Sequence, residues 1–154
     1  MTADTLTVPE VGTTFSLGPK KMTRERMRWY CDALETTART DDTFVIAEPT
    51  IHSDDDFALA QGLPGIIADG MLSTNYLSSL LFDAFGMDYL TSGELDTKFI
   101  RSVYEDELIT AFARVVDVDG DVVELELWCE VATADGAGQK CTVGRGSVRR
   151  GASA

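Results

Sequence analysis

One imidazole, a run of three aspartates and a glycine behind a fourth aspartate are the groups in this chain whose spacing suits proton chemistry. His52 is the only histidine, set in Ala-Glu-Pro-Thr-Ile-His-Ser-Asp-Asp-Asp (residues 47–56), and Asp69-Gly70-Met71 follows after a Leu-Pro-Gly loop. An imidazole titrates near neutrality and can therefore take and return a proton. Carboxylates such as Glu48 and Asp69 can share or tune that proton. A glycine opening a helix offers an amide with no intrahelical partner and no side chain in the way, as a polarised carbonyl oxygen requires. Together these groups suit an enzyme that acts on an acyl thioester.

Simpler roles compete for the same residues. A histidine in an arbitrary soluble chain is most often a surface or structural residue. Asp54, Asp55 and Asp56 read first as helix cap and first-turn residues, because the helix dipole favours negative charge there. One histidine beside aspartates at a helix start is poor metal-ligand geometry. Asp-Val-Asp-Gly-Asp-Val (residues 117–122) resembles a calcium loop only in composition: its glycine comes too early, and Trp128 stands where a bidentate glutamate belongs. Ser73, Ser78 and Ser79 lack the Gly-x-Ser-x-Gly setting of a nucleophile, and no Gly-rich phosphate loop occurs.

The elements that must position His52 and Gly70 follow from periodicity. Thr23 caps a helix whose inward side chains recur at Arg26, Met27, Tyr30, Leu34 and Ala38. A short helix with an aspartate-rich start occupies Ser-Asp-Asp-Asp-Phe-Ala-Leu-Ala-Gln-Gly, preceded by an extended piece at Val45 and Ile46. A longer helix runs from near Asp69 to Gly86, with Leu77, Leu80, Leu81, Ala84 and Phe85 on its stripe, and is apolar on more than one face. After it the period drops to two. Val123, Leu125, Leu127, Cys129 and Val131 alternate with polar residues and Trp128, the mark of a half-buried strand. Leu-Asp-Thr-Lys-Phe-Ile-Arg-Ser-Val-Tyr, Glu-Leu-Ile-Thr-Ala-Phe-Ala-Arg-Val-Val and Lys-Cys-Thr-Val-Gly-Arg-Gly-Ser-Val-Arg-Arg read as three further strands, with a hairpin turn at Asp-Gly-Asp. The expectation is an α+β chain in which an antiparallel meander covers one apolar helix. Trp29, Tyr30, Tyr76, Phe82, Phe85 and Tyr89 are candidates either for the core or for the lining of a pocket.

Composition narrows the partners. The chain has 154 residues, 44% of them apolar, enough for one domain with a real core. Its 26 acidic and 13 basic side chains give a net charge of −13 without a basic stripe, so nucleic acid is not an expected partner. The apolar segment at 63–85 is interrupted by Pro64, Asp69, Asn75 and Asp83, which rules it out as a bilayer span. Three scattered cysteines and no cationic, apolar leader point to a reduced, cytoplasmic protein.

The stretch from His52 through the apolar helix resembles the MaoC-like hydratase/dehydratase family of hot-dog domains. That family's core runs Asp-x-Asn-Pro-x-His, then x-Asp, a short helix and a Pro/Gly turn into a His-Gly-Met helix start. Ile-His-Ser-Asp-Asp-Asp-Phe-Ala, Gly-Leu-Pro-Gly-Ile-Ile-Ala-Asp-Gly-Met-Leu and the later Leu-Asp-Thr-Lys-Phe-Ile-Arg-Ser-Val-Tyr follow in the same order. The resemblance implies a single hot-dog domain over residues 10–150; the small, polar, unpatterned ends at 1–9 and 151–154 read as flexible termini. The resemblance also implies a homodimer or higher oligomer with sites near the subunit interface, no metal or other cofactor, and hydration of a trans-2-enoyl thioester, or the reverse, on CoA or acyl-carrier-protein substrates. By position His52 matches the catalytic histidine, Gly70 the amide that holds the thioester oxygen, and Ser78 a supporting serine.

Two departures follow. The family's catalytic aspartate stands five residues before the histidine, and Ala47 is there instead; Pro49 replaces its asparagine. Asp69 takes the place of the histidine of His-Gly-Met. The missing acid must then come from Glu48 or Asp69, or His52 must serve as both base and acid. A hot-dog thioesterase and a non-catalytic subunit of a heteromeric hydratase are the alternatives that Ala47 keeps open.

Overall fold

The structure, a computed structural model, describes residues 9–33, 39–40, 43–44 and 49–151. In chain order its elements are β1 (Thr14–Lys21), α1 (Arg24–Ala33), β2 (Arg39–Thr40), β3 (Thr43–Phe44), α2 (Asp55–Ala60), α3 (Gly70–Phe85), α4 (Met87–Ser92), β4 (Glu94–Phe99), β5 (Leu108–Asp119), β6 (Val122–Val131) and β7 (Gln139–Arg149). The expected helix residues Leu34 and Ala38, the extended pair Val45 and Ile46, and the chain ends at 1–8 and 152–154 lie outside the described residues.

Local chemistry sets the helix starts. Thr23 Oγ1 accepts from Arg26 N at 3.2 Å and opens α1. Asp54 Oδ1 accepts from Phe57 N at 2.7 Å and opens α2, and Asp69 Oδ1 accepts from Met71 N at 2.8 Å and opens α3. Each such cap satisfies an amide the helix itself cannot, a contribution of about 1 kcal/mol. Gly86 closes α3.

Five antiparallel strands form one sheet in the order β1-β5-β6-β7-β4. α3 touches all five. Leu72, Leu77, Leu80, Leu81 and Phe85 from the helix join Ala111, Ala113, Val115, Val123, Leu125, Leu127, Cys129 and Val148 from the sheet in one buried core. A fully buried leucine contributes about 1.5–3 kcal/mol, so this helix–sheet layer dominates stability. The arrangement is the α+β hot-dog fold. No disulfide forms among the described residues; Cys129 and Cys141 are sealed in the core, and Cys141 Sγ lies 3.4 Å from the Cys129 carbonyl oxygen.

Two features differ from the expected meander. Only β5, β6 and β7 are sequential neighbours; β4 pairs with β7 at the far edge, from Glu94↔Ser147 to Phe99↔Thr142. Close approach permits it, since a side chain at Gly144 would stand 2.2 Å from the Asp96 carbonyl oxygen. β1 supplies the fifth strand beside β5, with an irregularity between Leu17 and Lys20. Its Pro19 lacks an N–H and interrupts the alternation a strand would show, which fits a sheet edge. The β5–β6 hairpin turns at Gly120-Asp121 with Gly120 at φ +60°, a glycine at the first central position as a type II′ turn requires. Residues 100–107 cross from β4 to β5 and close one end of the sheet–helix layer.

Candidate active site

His52 sits on a turn built by the residues before it. Ser53 N and Asp54 N both donate to the Thr50 carbonyl at 3.1 Å, and His52 N donates to Thr50 Oγ1 at 3.2 Å. The ring Nδ1 lies 2.9 Å from the carbonyl oxygen of Ile67. A carbonyl only accepts, so Nδ1 carries a proton, and in the neutral ring Nε2 then presents the lone pair. Ile67 itself is fixed by its own N–H to the Ile51 carbonyl at 3.0 Å and by a bridge to Tyr104.

Nε2 of His52 faces Oδ2 of Asp69 at 4.0 Å, with the two side chains 26% and 23% exposed. That is beyond direct hydrogen-bond reach. Asp69 is held by its capping bond to Met71 N, so the atom that starts α3 also aims a carboxylate at the imidazole. Gly70, next in the chain, has a helix-start amide that no intrahelical carbonyl can reach. Glycine lets the Phe99 ring lie over this position, because a Cβ would meet three carbons of that ring at 2.6–2.8 Å.

His52, Asp69 and Gly70 line one cavity of about 510 Å³. Its walls are largely apolar, with Met22, Leu72, Val103 and Ile109 among them, and Phe99 and Ile100 contribute large side chains that are 46% and 51% exposed. Two buried hydroxyls stand on another wall: Ser73 Oγ donates to the Gly70 carbonyl at 2.7 Å and lies 2.7 Å from Thr142 Oγ1. Arg101 also borders the cavity. Its guanidinium is bound to Glu107 at 2.6 and 2.9 Å, to the Ser102 carbonyl at 2.7 Å and to Gln139 at 2.9 Å. Burial alone would raise the Glu107 carboxyl, but Arg101 and the Tyr104 N–H outweigh it and hold Glu107 below the usual range. A second ion cluster lies outside the cavity. Arg24 joins Asp55 to Glu105, and hydrogen bonds first to Arg24 and then to Ile66 N lower the Asp55 pKa. The Tyr30 phenol is pushed up by burial and then by the nearby charge of Asp69.

The structure therefore gathers three of the five residues expected at the site. Glu48 and the neighbouring Ala47 lie outside the described residues. Ser78 stands two turns beyond Gly70, where its Oγ accepts from Tyr89 OH at 2.8 Å, and it does not line this cavity. Nor do the six aromatics singled out as pocket candidates line the cavity; Phe85 and Tyr89 are buried in the core, and Trp29 and Phe82 are exposed by 65% and 44%. Phe99, Arg101 and Thr142 are the residues that sequence reasoning missed. Each lies on β4, β7 or the crossing segment, and only the β4–β7 pairing brings them over the start of α3. No group of side chains among the described residues is arranged to hold a metal ion.

Such an arrangement can orient a water between an imidazole and a carboxylate, beside an apolar cavity with a free helix-start amide. Comparison with known proteins identifies the family and the fold. Residues 48–143 match the sequence model of the MaoC-like domain. Among solved structures, the chain resembles the R-hydratase PhaJ1 from Pseudomonas aeruginosa with a TM-score of 0.69 at 15% identity, covering 92% of this chain and 82% of that one. It resembles the (R)-hydratase from A. caviae with a TM-score of 0.66 at 18% identity, covering 94% and 98%. The HadBC (3R-hydroxyacyl-ACP dehydratase) complex from Mycobacterium tuberculosis gives 0.65 at 15%, covering 93% and 98%. At these identities the likeness shows the fold. No curated protein sequence matches the chain significantly. No helix among the described residues is long and apolar enough to cross a membrane.

Proposed function

Because this chain belongs to the MaoC-like domain family, we propose that it is a hydro-lyase that adds water to a trans-2-enoyl thioester, or removes it from the 3-hydroxyacyl thioester, with CoA or an acyl-carrier protein as the carrier. One observation carries the reading: His52 Nε2 and Asp69 Oδ2 stand 4.0 Å apart on the wall of a cavity that Gly70 also lines. A water about 2.8 Å from each acceptor would span them at close to a right angle, near its own bond angle. It would give one hydrogen bond to each.

The chemistry then balances on one imidazole. The water oxygen bonds to C3 of the enoyl thioester while its proton passes to His52 Nε2, and the C2=C3 electron pair moves toward the thioester carbonyl. The Gly70 amide stabilises the oxygen that gains charge. The same Nε2 proton is then delivered to C2, restoring the neutral ring. The Asp69 carboxylate takes no proton in this scheme and steadies both the water and the transient imidazolium. Dehydration is the reverse path. No cofactor takes part in it.

The test is loss of enoyl absorbance on incubation with a trans-2-enoyl-CoA. Parent protein should turn it over and H52A should not, while remaining folded; equal turnover by H52A would remove His52 from the mechanism. Release of free thiol with the enoyl group intact would identify a thioesterase instead. Ala47, where the family has its aspartate, supports a second reading as a non-catalytic subunit. Activity that appears only with a second, co-encoded hot-dog chain would favour it. In either case we expect a cytoplasmic assembly of at least two copies or subunits.

A further inference from the structure

We propose that Arg24, which does not line the cavity, is a positioning residue that decides which ring nitrogen of His52 carries the proton. The proposal rests on the reading of His52 as the proton-transfer group and adds what holds it ready. A lone pair on Nε2 requires the proton on Nδ1, and the single contact that enforces this is the 2.9 Å bond to the Ile67 carbonyl. The free imidazole of histidine in water prefers the opposite form, so the carbonyl of Ile67 must be kept in place.

Backbone bonds from Ile67 N to the Ile51 carbonyl at 3.0 Å and from Ala68 N to the Val103 carbonyl at 2.8 Å hold its peptide group directly. Two side-chain routes that both start at Arg24 fix the segments carrying those bonds. The Arg24 guanidinium donates to Asp55 Oδ2 at 2.5 Å, and Asp55 Oδ1 accepts from Ile66 N at 3.2 Å, directly before Ile67. The same guanidinium donates to Glu105 at 2.6, 3.0 and 3.1 Å, and Glu105 follows Tyr104, the residue bridged to Ile67. Asp55 lies three residues after His52, so the first route also fixes the exit of the histidine turn. A planar fork with several donors can join two carboxylates on separate segments at fixed angles, which a lysine cannot. The side chains of Arg24, Asp55 and Glu105 are 41%, 44% and 34% exposed, a setting in which ion pairs add little stability. Geometry is then what the cluster supplies.

His52 is the chain's only histidine, so an untagged protein labelled with 15N in its imidazole shows a single pair of ring-nitrogen signals. The parent should show the pattern of the Nδ1–H form. R24M should remain folded and show a mixture weighted toward Nε2–H, and R24K should recover only part of the parent pattern. With an active parent, kcat of R24M should fall about tenfold with KM within about twofold, since misplacing a reacting group costs rate more than binding. An unchanged ring-nitrogen pattern in folded R24M, or an Nε2–H pattern in the parent, overturns the proposal. Should R24M fail to fold, E105Q releases one arm alone, and an unchanged pattern there overturns it equally. A shifted pattern with an inactive parent would sustain the role of Arg24 and sink the catalytic reading of His52.

Discussion

His52 and Asp69 face each other across 4.0 Å, and Asp69 reaches that position because its other oxygen caps α3. One side chain thus serves both the helix and the imidazole. D69N separates the two roles, since asparagine caps as well as aspartate but carries no charge. Thermal stability should change by less than about 0.5 kcal/mol. Turnover of enoyl-CoA should fall about 100-fold, within the range for loss of a group that assists proton transfer. Equal turnover by D69N and the parent would remove Asp69 from the mechanism and leave Glu48 as the carboxylate that could assist His52.

Gly70 and Phe99 form a second coupled pair. G70A drives a methyl group into the Phe99 ring, and overpacking costs about 1–3 kcal/mol where neighbours cannot yield. Phe99 is half-exposed, so its ring should swing out and the cost should sit at the low end. KM for enoyl-CoA should rise, because that ring is a cavity wall. In the double variant with F99A the stability loss should shrink, and the two changes should couple in a double-mutant cycle. Additive effects would show that the ring does not lie over Gly70 in solution.

The Glu107 carboxylate gives a pH-dependent signature. Its folded pKa lies below the ordinary glutamate value of about 4.3. It therefore contributes stability that is complete above that value and is lost as pH falls through the lower, folded one. The stability difference between the parent and E107Q should be flat from neutral pH to about pH 5 and shrink below about pH 4. Denaturant melts at several pH values measure it; a difference that instead shrinks as pH rises above neutrality would contradict the Arg101–Glu107 pairing.

Ser78 provides the fourth test. S78A removes the acceptor of the Tyr89 hydroxyl and should lower stability by about 1 kcal/mol, the usual worth of one such bond. KM and kcat should stay within about twofold of the parent. A large rise in KM would mean that substrate reaches past the cavity wall to the third turn of α3.

What the sequence made legible was local. The bounds of α3 could be read because a cap at Asp69 and a stop at Gly86 enclose a periodic run, and β6 because Val123 to Val131 alternate without a break. β1 was hidden by Gly18-Pro19. The partner of β4 was hidden because nothing in Glu94–Phe99 favours β7 over β5; that choice is made by the layer above α3. The site divides in the same way. His52, Asp69 and Gly70 lie within nineteen consecutive residues and could be grouped in advance. Phe99, Arg101 and Thr142 join them only through strand pairing, and the clasp of Arg24 on Asp55 and Glu105 spans 31 and 81 residues of chain.

Cys129 and Cys141, sealed between the central helix and the sheet, furnish the molecule with an internal clock for its own opening. Burial raises both thiols, so neither is a reactive thiolate at neutral pH while the fold is closed. A maleimide reagent must wait until the layers part, and its rate of uptake at these two positions then counts global excursions rather than surface fluctuation.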